Sequence, residues 1–129
     1  MSAEVETAIA RFWLDEEGIL RCVVKPVDQT REQAMDSMRI FAELAAGKRC
    51  PAIIDTSRVK EISREVRAVY TGSHAAQVWT ACALVVSSSS VARTIGNFII
   101  AVSRPPFPTR MFENLDDALA WARSHLPKD

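Results

Sequence analysis

The stretch "VWTACALVV", residues 78–86, decides the fold. It is too short and too rich in strand-forming residues for another long helix, and its apolar character is nearly unbroken. A strand with one wet face alternates polar and apolar residues. One that does not alternate belongs at the centre of a sheet covered on its faces.

Directly after it stand Ser87, Ser88, Ser89 and Ser90, and then the apolar run resumes in "VARTIGNFIIAVSR" with Val91, Ile95, Phe98 and Val102 at helical spacing. The serines therefore read as a strand-to-helix junction. Ser88, Ser89 or Ser90 is placed to cap the amides of the following helix. A helix start also suits a phosphate or carboxylate, which makes Asp55, Ser87, Ser88, Ser89, Ser90 and Arg93 the candidate ligand-binding set. Within the helix, Ala92 and Gly96 form a small-residue track and Ile99 and Ile100 widen the apolar surface. That surface either packs on the parent sheet or mediates a homodimer. Pro105 and Pro106 end the helix.

The preceding segments complete the sheet. "TAIARFWLDEEGILRCVVKP" reads as a β-hairpin turning at Asp15 to Gly18, with Leu20, Cys22 and Val24 on its dry side. Thr30 and Gln33 fit a capping box ahead of the stripe Ala34, Met38, Phe41 and Ala45, and Gly47 ends that helix. "PAIIDTS" is a compact strand. Ser63 caps a second helix whose Val66, Val69, Tyr70 and Ser73 share a face. Towards the C-terminus "TRMF" is a short strand, and Asn114 and Asp117 start a last helix packed through Leu115, Ala118, Leu119, Ala122 and Leu126. The order is ββαβαβαβα: an α/β fold with a four- or five-stranded mixed sheet covered by helices, expected to form one domain over residues 1–129.

Charge and composition narrow the function. With 129 residues, 48% of them hydrophobic, the chain can build a real core. Sixteen basic and sixteen acidic residues cancel, which argues against nucleic-acid binding by broad phosphate attraction and weakens the repulsion that opposes self-association. "MSAEVETAIA" lacks the basic start and long apolar core of a signal peptide, and no apolar run reaches transmembrane length, so a cytoplasmic location without membrane insertion is expected. The three cysteines, Cys22, Cys50 and Cys82, are an odd number without a close pair. They read as packed thiols rather than a disulfide set or metal site, and neither a metal nor another cofactor is expected.

No catalytic motif stands out. The serine run is not GxSxG, and a hydrolase would need Ser88, Asp55 and either His74 or His125 brought together by the fold. In "DTSRVKEISREVR", Arg58, Lys60, Arg64 and Arg67 suit an acidic partner, although Glu61 and Glu65 make the surface mixed. Arg58, Arg64, Arg67, Ala92, Gly96 and Ile100 are thus the interaction candidates. "RPPFPTRMF" reads as a rigid crossover carrying Phe107 and Phe112 into the core.

"PAIIDTSRVKEISREVRA", "ALVVSSSSVARTIGNFII" and "RPPFPTRMFENLDDALAWARSHL" resemble a small uncharacterised bacterial family with a SpoIIAA-like, or STAS-like, fold, over roughly residues 5–126. In anti-sigma-factor antagonists of that class a strand-to-helix junction carries a phosphorylatable serine and contacts a kinase. The resemblance places that junction at Asp55 to Arg64 and the family's Asp–Ser pair on Ser63 and Arg64. Arg64 cannot accept phosphate, and Ser63 is placed to cap a helix. The function expected is therefore a non-enzymatic interaction or regulatory module, with a homodimer and a regulatory protein as the partners to test. A sensor of a small anionic or apolar ligand is the first alternative, and a serine hydrolase the second.

Overall fold

The computed structural model describes residues 4–59, 61–87 and 105–127. Six strands form one sheet in the order of the chain: β1 (Glu4–Glu6), β2 (Ala10–Leu14), β3 (Leu20–Val24), β4 (Cys50–Asp55), β5 (Trp79–Val85) and β6 (Thr109–Phe112). The first two pairings are antiparallel and the remaining three parallel. Helix α1 (Arg31–Leu44) links β3 to β4, helices α2 (Arg64–Tyr70) and α3 (Ser73–Val78) link β4 to β5, and α4 (Leu115–Arg123) follows β6. The sheet has one strand more than the four or five expected. The addition is β1, whose Glu-Val-Glu is too short and acidic to announce a strand, although Val5 pairs with Phe12.

Local chemistry accounts for the hairpin and the helix starts. Asp15 Oδ1 accepts from the amides of Glu17 at 2.9 Å and Ile19 at 3.0 Å. Gly18 takes a φ of +91°, which a side chain would oppose. Thr30 Oγ1 accepts from Gln33 N at 3.1 Å while Gln33 Oε1 accepts from Thr30 N at 2.9 Å, completing the expected capping box. Ser63 and Asn114 cap α2 and α4 through one such side-chain acceptor each, Ser63 Oγ from Val66 N and Asn114 Oδ1 from Asp117 N.

Two connections that step the same way along a parallel sheet must cross the same face, because such crossovers share one hand. Helices α1, α2 and α3 accordingly cover one face, here the front. Ala34, Met38, Phe41 and Ala45 of α1 meet Phe12, Leu20, Cys22 and Ile54 of the sheet, as the stripe in the sequence predicts. Helix α4 takes the back face, where Ala118 and Ala122 pack with Ile19, Ile53, Ala83 and Val85. Strand β5 is therefore covered on both sides, as its unbroken apolar run requires.

The expected second helix is divided. At Gly72, which caps α3, an added Cβ would lie 2.8 Å from the carbonyl oxygen of Ala68, so the chain turns tightly there and Ser73 opens a new helix. Leu115 is another departure. It is 42% exposed at the first position of α4, whose core stripe begins a turn later at Ala118.

Candidate functional site

The front face holds an open cavity of about 590 Å³ between the sheet and its helices. Phe12, Phe41, Trp79 and Phe107 form much of its wall, with Cys22 from β3 and Cys82 from β5. Trp79 is the hub of this aromatic lining. It meets Phe41 edge-on with ring centroids 5.2 Å apart, Phe107 edge-on at 5.7 Å, and Tyr70 nearly parallel at 6.3 Å.

A bulge turns Trp79 towards the cavity. Cys82 and Leu84 pack in the front cluster and Ala83 and Val85 in the back one. Regular alternation back from Cys82 would place Thr80 in front and Trp79 behind. The pairing of β5 with β4 shifts, however, from Cys50 opposite Trp79 to Pro51 opposite Ala81. Two residues of β5 thus span one step of β4, and Trp79 rotates to the front. It is 2% exposed, and its indole Nε1 has no hydrogen-bond partner among the described residues.

The polar lining is sparse. Tyr70 Oη donates to Gln29 Oε1 at 2.9 Å. Burial pushes the Tyr70 hydroxyl up to about 12, opposed in part by a hydrogen bond with Ser37, so it remains a donor at neutral pH. The hydroxyls of Ser37, Thr56, Thr71 and Thr109 donate to the carbonyls of Gln33, Val85, Arg67 and Phe107. Arg67 reaches the wall from α2, half-buried, and Glu61 from the exposed segment before it. A neighbouring cavity of about 340 Å³ shares Gln29, Val59, Glu61 and Ile62 and adds Asp28, giving it an acidic rim.

The thiols are not poised for nucleophilic chemistry. Burial pushes Cys82 up to about 12 and raises Cys22 further, with Cys82 and Asp55 adding to the shift. Burial also raises Cys50. All three are buried and unbridged, and thiols in that state stay protonated. Among the described residues no group of three His, Cys, Asp or Glu side chains is placed to hold a metal ion.

The residues singled out in the sequence distribute unevenly about this cavity. Ser87 lines it, as does Arg67. Asp55, at the end of β4, turns its carboxylate to its own loop, accepting from Ser57 N at 2.9 Å and Ser57 Oγ at 2.6 Å. Arg58 and Arg64 are exposed. Ser88, Ser89, Ser90, Arg93, Ala92, Gly96 and Ile100 lie outside the described residues, and with them the proposed anion site and dimer face. His74 is exposed on α3, while His125 packs on Trp121 with ring centroids 4.5 Å apart, beside the back-face cluster. Sequence reading did not single out Trp79, Tyr70 or Gln29 as a group. Their only common signal was aromatic residues scattered through the chain, because the cavity is assembled from distant segments.

Residues 12–126 match the profile of a family described as a domain of unknown function. The chain belongs to the DUF7793 family. Among curated proteins none matches the DUF7793 chain. Among solved structures it is similar to an uncharacterised protein of the DUF3478 family from Shewanella loihica PV-4, described as having a SpoIIAA-like fold. That match has a TM-score of 0.56 at 14% identity and covers 95% of this chain and 92% of the other. The DUF7793 chain has a SpoIIAA-like fold. It is also 29% identical to a protein of unknown function from Arthrobacter sp. FB24, covering 86% of this chain and 96% of the other, with a TM-score of 0.35.

Proposed function

We propose that the DUF7793 chain is a single, non-enzymatic cytoplasmic domain that binds an apolar small molecule on the front face of its sheet. One observation carries this reading: a cavity of about 590 Å³ walled by aromatic side chains, with the bulge at Trp79 and Thr80 turning a large ring into it. Cavities of that size, mostly apolar with a few placed polar groups, are the usual geometry of small-molecule sites. The protonated thiols and committed hydroxyls around it supply packing and hydrogen bonds rather than a nucleophile.

The test is a fluorescence titration with the neutral probe N-phenyl-1-naphthylamine, paired with an amide and indole NMR spectrum. Saturable one-site binding should move the indole N–H signal of Trp79 and leave those of Trp13 and Trp121 in place. Absence of saturable binding, or shifts confined to Trp13 or Trp121, would refute the cavity as the site.

A second reading, a regulatory protein-interaction module that self-associates, is favoured by the back face of β1 to β3. There Trp13 lies between Arg11 and Arg21, whose guanidinium carbons are 5.1 and 5.3 Å from its ring, while α4 packs on β4, β5 and β6. Sedimentation analysis of wild type and Trp13→Ala decides it. A dimer lost on that substitution supports the interaction face, and a monomer in both removes self-association from it.

A further inference from the structure

We infer that the front-face cavity selects a monocarboxylate: an apolar body enclosed by the aromatic wall, with its carboxylate on Arg67. This inference rests on the cavity reading and adds the chemical class of the ligand. Two nitrogen groups on the wall carry it. Gln29 uses its oxygen on the Tyr70 hydroxyl, which leaves its amide N–H groups to donate. Arg67 lines the cavity half-buried, and its guanidinium has no ion-pair or hydrogen-bond partner among the described residues.

Both are donors and one bears a positive charge; the one acidic side chain on the same wall among the described residues, Glu61, stands where the cavity meets its 340 Å³ neighbour. The hydroxyl protons of Ser37, Thr56, Thr71 and Thr109 are already given to backbone carbonyls. A complementary ligand must therefore bring acceptors and negative charge, and a carboxylate matches the planar fork of an arginine with two parallel hydrogen bonds. The lining elsewhere is apolar, so the rest of the molecule is hydrocarbon or aromatic. Charge also sets the orientation. Asp28 and Glu61 make the neighbouring 340 Å³ cavity acidic, which repels an anionic end from that side and leaves Arg67 as its anchor.

The experiment compares cis-parinaric acid with its methyl ester at about pH 7.5, where a carboxylic acid is ionised, using N-phenyl-1-naphthylamine as the neutral reference. Wild type should bind the acid about tenfold or more tightly than the ester, the worth of one charge-assisted contact. Arg67→Gln should abolish that preference, read as the ratio of acid to ester affinity within the variant. Arg67→Lys should retain part of it, and Glu61→Gln should increase it by relieving repulsion. Equal wild-type affinity for acid and ester, with the neutral probe still bound, overturns the carboxylate inference and leaves the cavity reading standing. If none of the three probes binds, both fall. A parallel loss of acid, ester and neutral-probe affinity in Arg67→Gln, with that ratio kept, makes the arginine a structural residue and also overturns the inference.

Discussion

Replacing Trp79 with phenylalanine should cost the ligand-free protein little, although Trp79 is among its most buried large side chains. Two opposing terms set the magnitude. The substitution shrinks the ring system by roughly two carbon-sized groups, at about 0.8 kcal/mol each, or about 1.6 kcal/mol. It also deletes an indole N–H that is buried without a partner, and relieving such a group returns about 1–3 kcal/mol. A phenyl ring can still meet Phe41 and Phe107 edge-on, so part of the aromatic pairing persists. The net change should lie within about 1.5 kcal/mol of zero, whereas Trp79→Ala should lose about 3–5 kcal/mol. Urea unfolding of the ligand-free protein, followed by circular dichroism, measures both. A loss above about 2.5 kcal/mol for Trp79→Phe with unchanged m would refute the reasoning, since it would require the indole N–H to be hydrogen-bonded.

Two further perturbations test separate parts of the structure. Thr30→Ala removes the Oγ1 that accepts from Gln33 N, leaving the arm from Thr30 N to Gln33 Oε1, and should destabilise the protein by about 1 kcal/mol in urea unfolding, while Thr30→Ser should remain within a few tenths. Glu17 receives two hydrogen bonds from Arg123, at 2.7 and 2.8 Å, and these hold its carboxyl below the ordinary value. The unfolded chain then binds the proton first, so the contribution is full above the unfolded value of about 4.3 and disappears as pH falls through the lower folded value. Wild type should lose its advantage over Glu17→Gln across that acidic window, as read by unfolding at a series of pH values. Because the pair is exposed, the advantage should also shrink with added salt.

What the sequence made legible was local or periodic. The α1 stripe, the turn at Asp15 to Gly18 and the caps at Thr30, Ser63 and Asn114 each depend on residues a few positions apart, and each stands where the pattern put it. Strand β1 was not legible, because a three-residue strand at a sheet edge is defined by its partner β2 rather than by its own alternation. The division at Gly72 was hidden by side chains that keep helical spacing across it, and depends on a close backbone approach to Ala68. The site was legible only in fragments. Arg67 stood out as a surface charge and Ser87 as a junction residue, but their shared cavity depends on the bulge at Trp79 and Thr80, for which the sequence offers no glycine or other local sign.

The two faces of the sheet solve the same burial problem differently. On the back face Ala83, Ala118 and Ala122 are fully buried, and their small side chains allow α4 to lie close to β4 and β5. On the front face bulky rings at Phe41, Tyr70, Trp79 and Phe107 stand between helices and sheet, and about 590 Å³ remains among them. Water filling that space is held well only where each molecule finds two or more polar partners, and the aromatic wall provides few. An apolar occupant restores the missing contacts directly and stabilises the folded chain in proportion to the logarithm of its concentration. The front-face packing thus supports the proposed apolar ligand, whereas the back-face core is closed by α4 on the sheet.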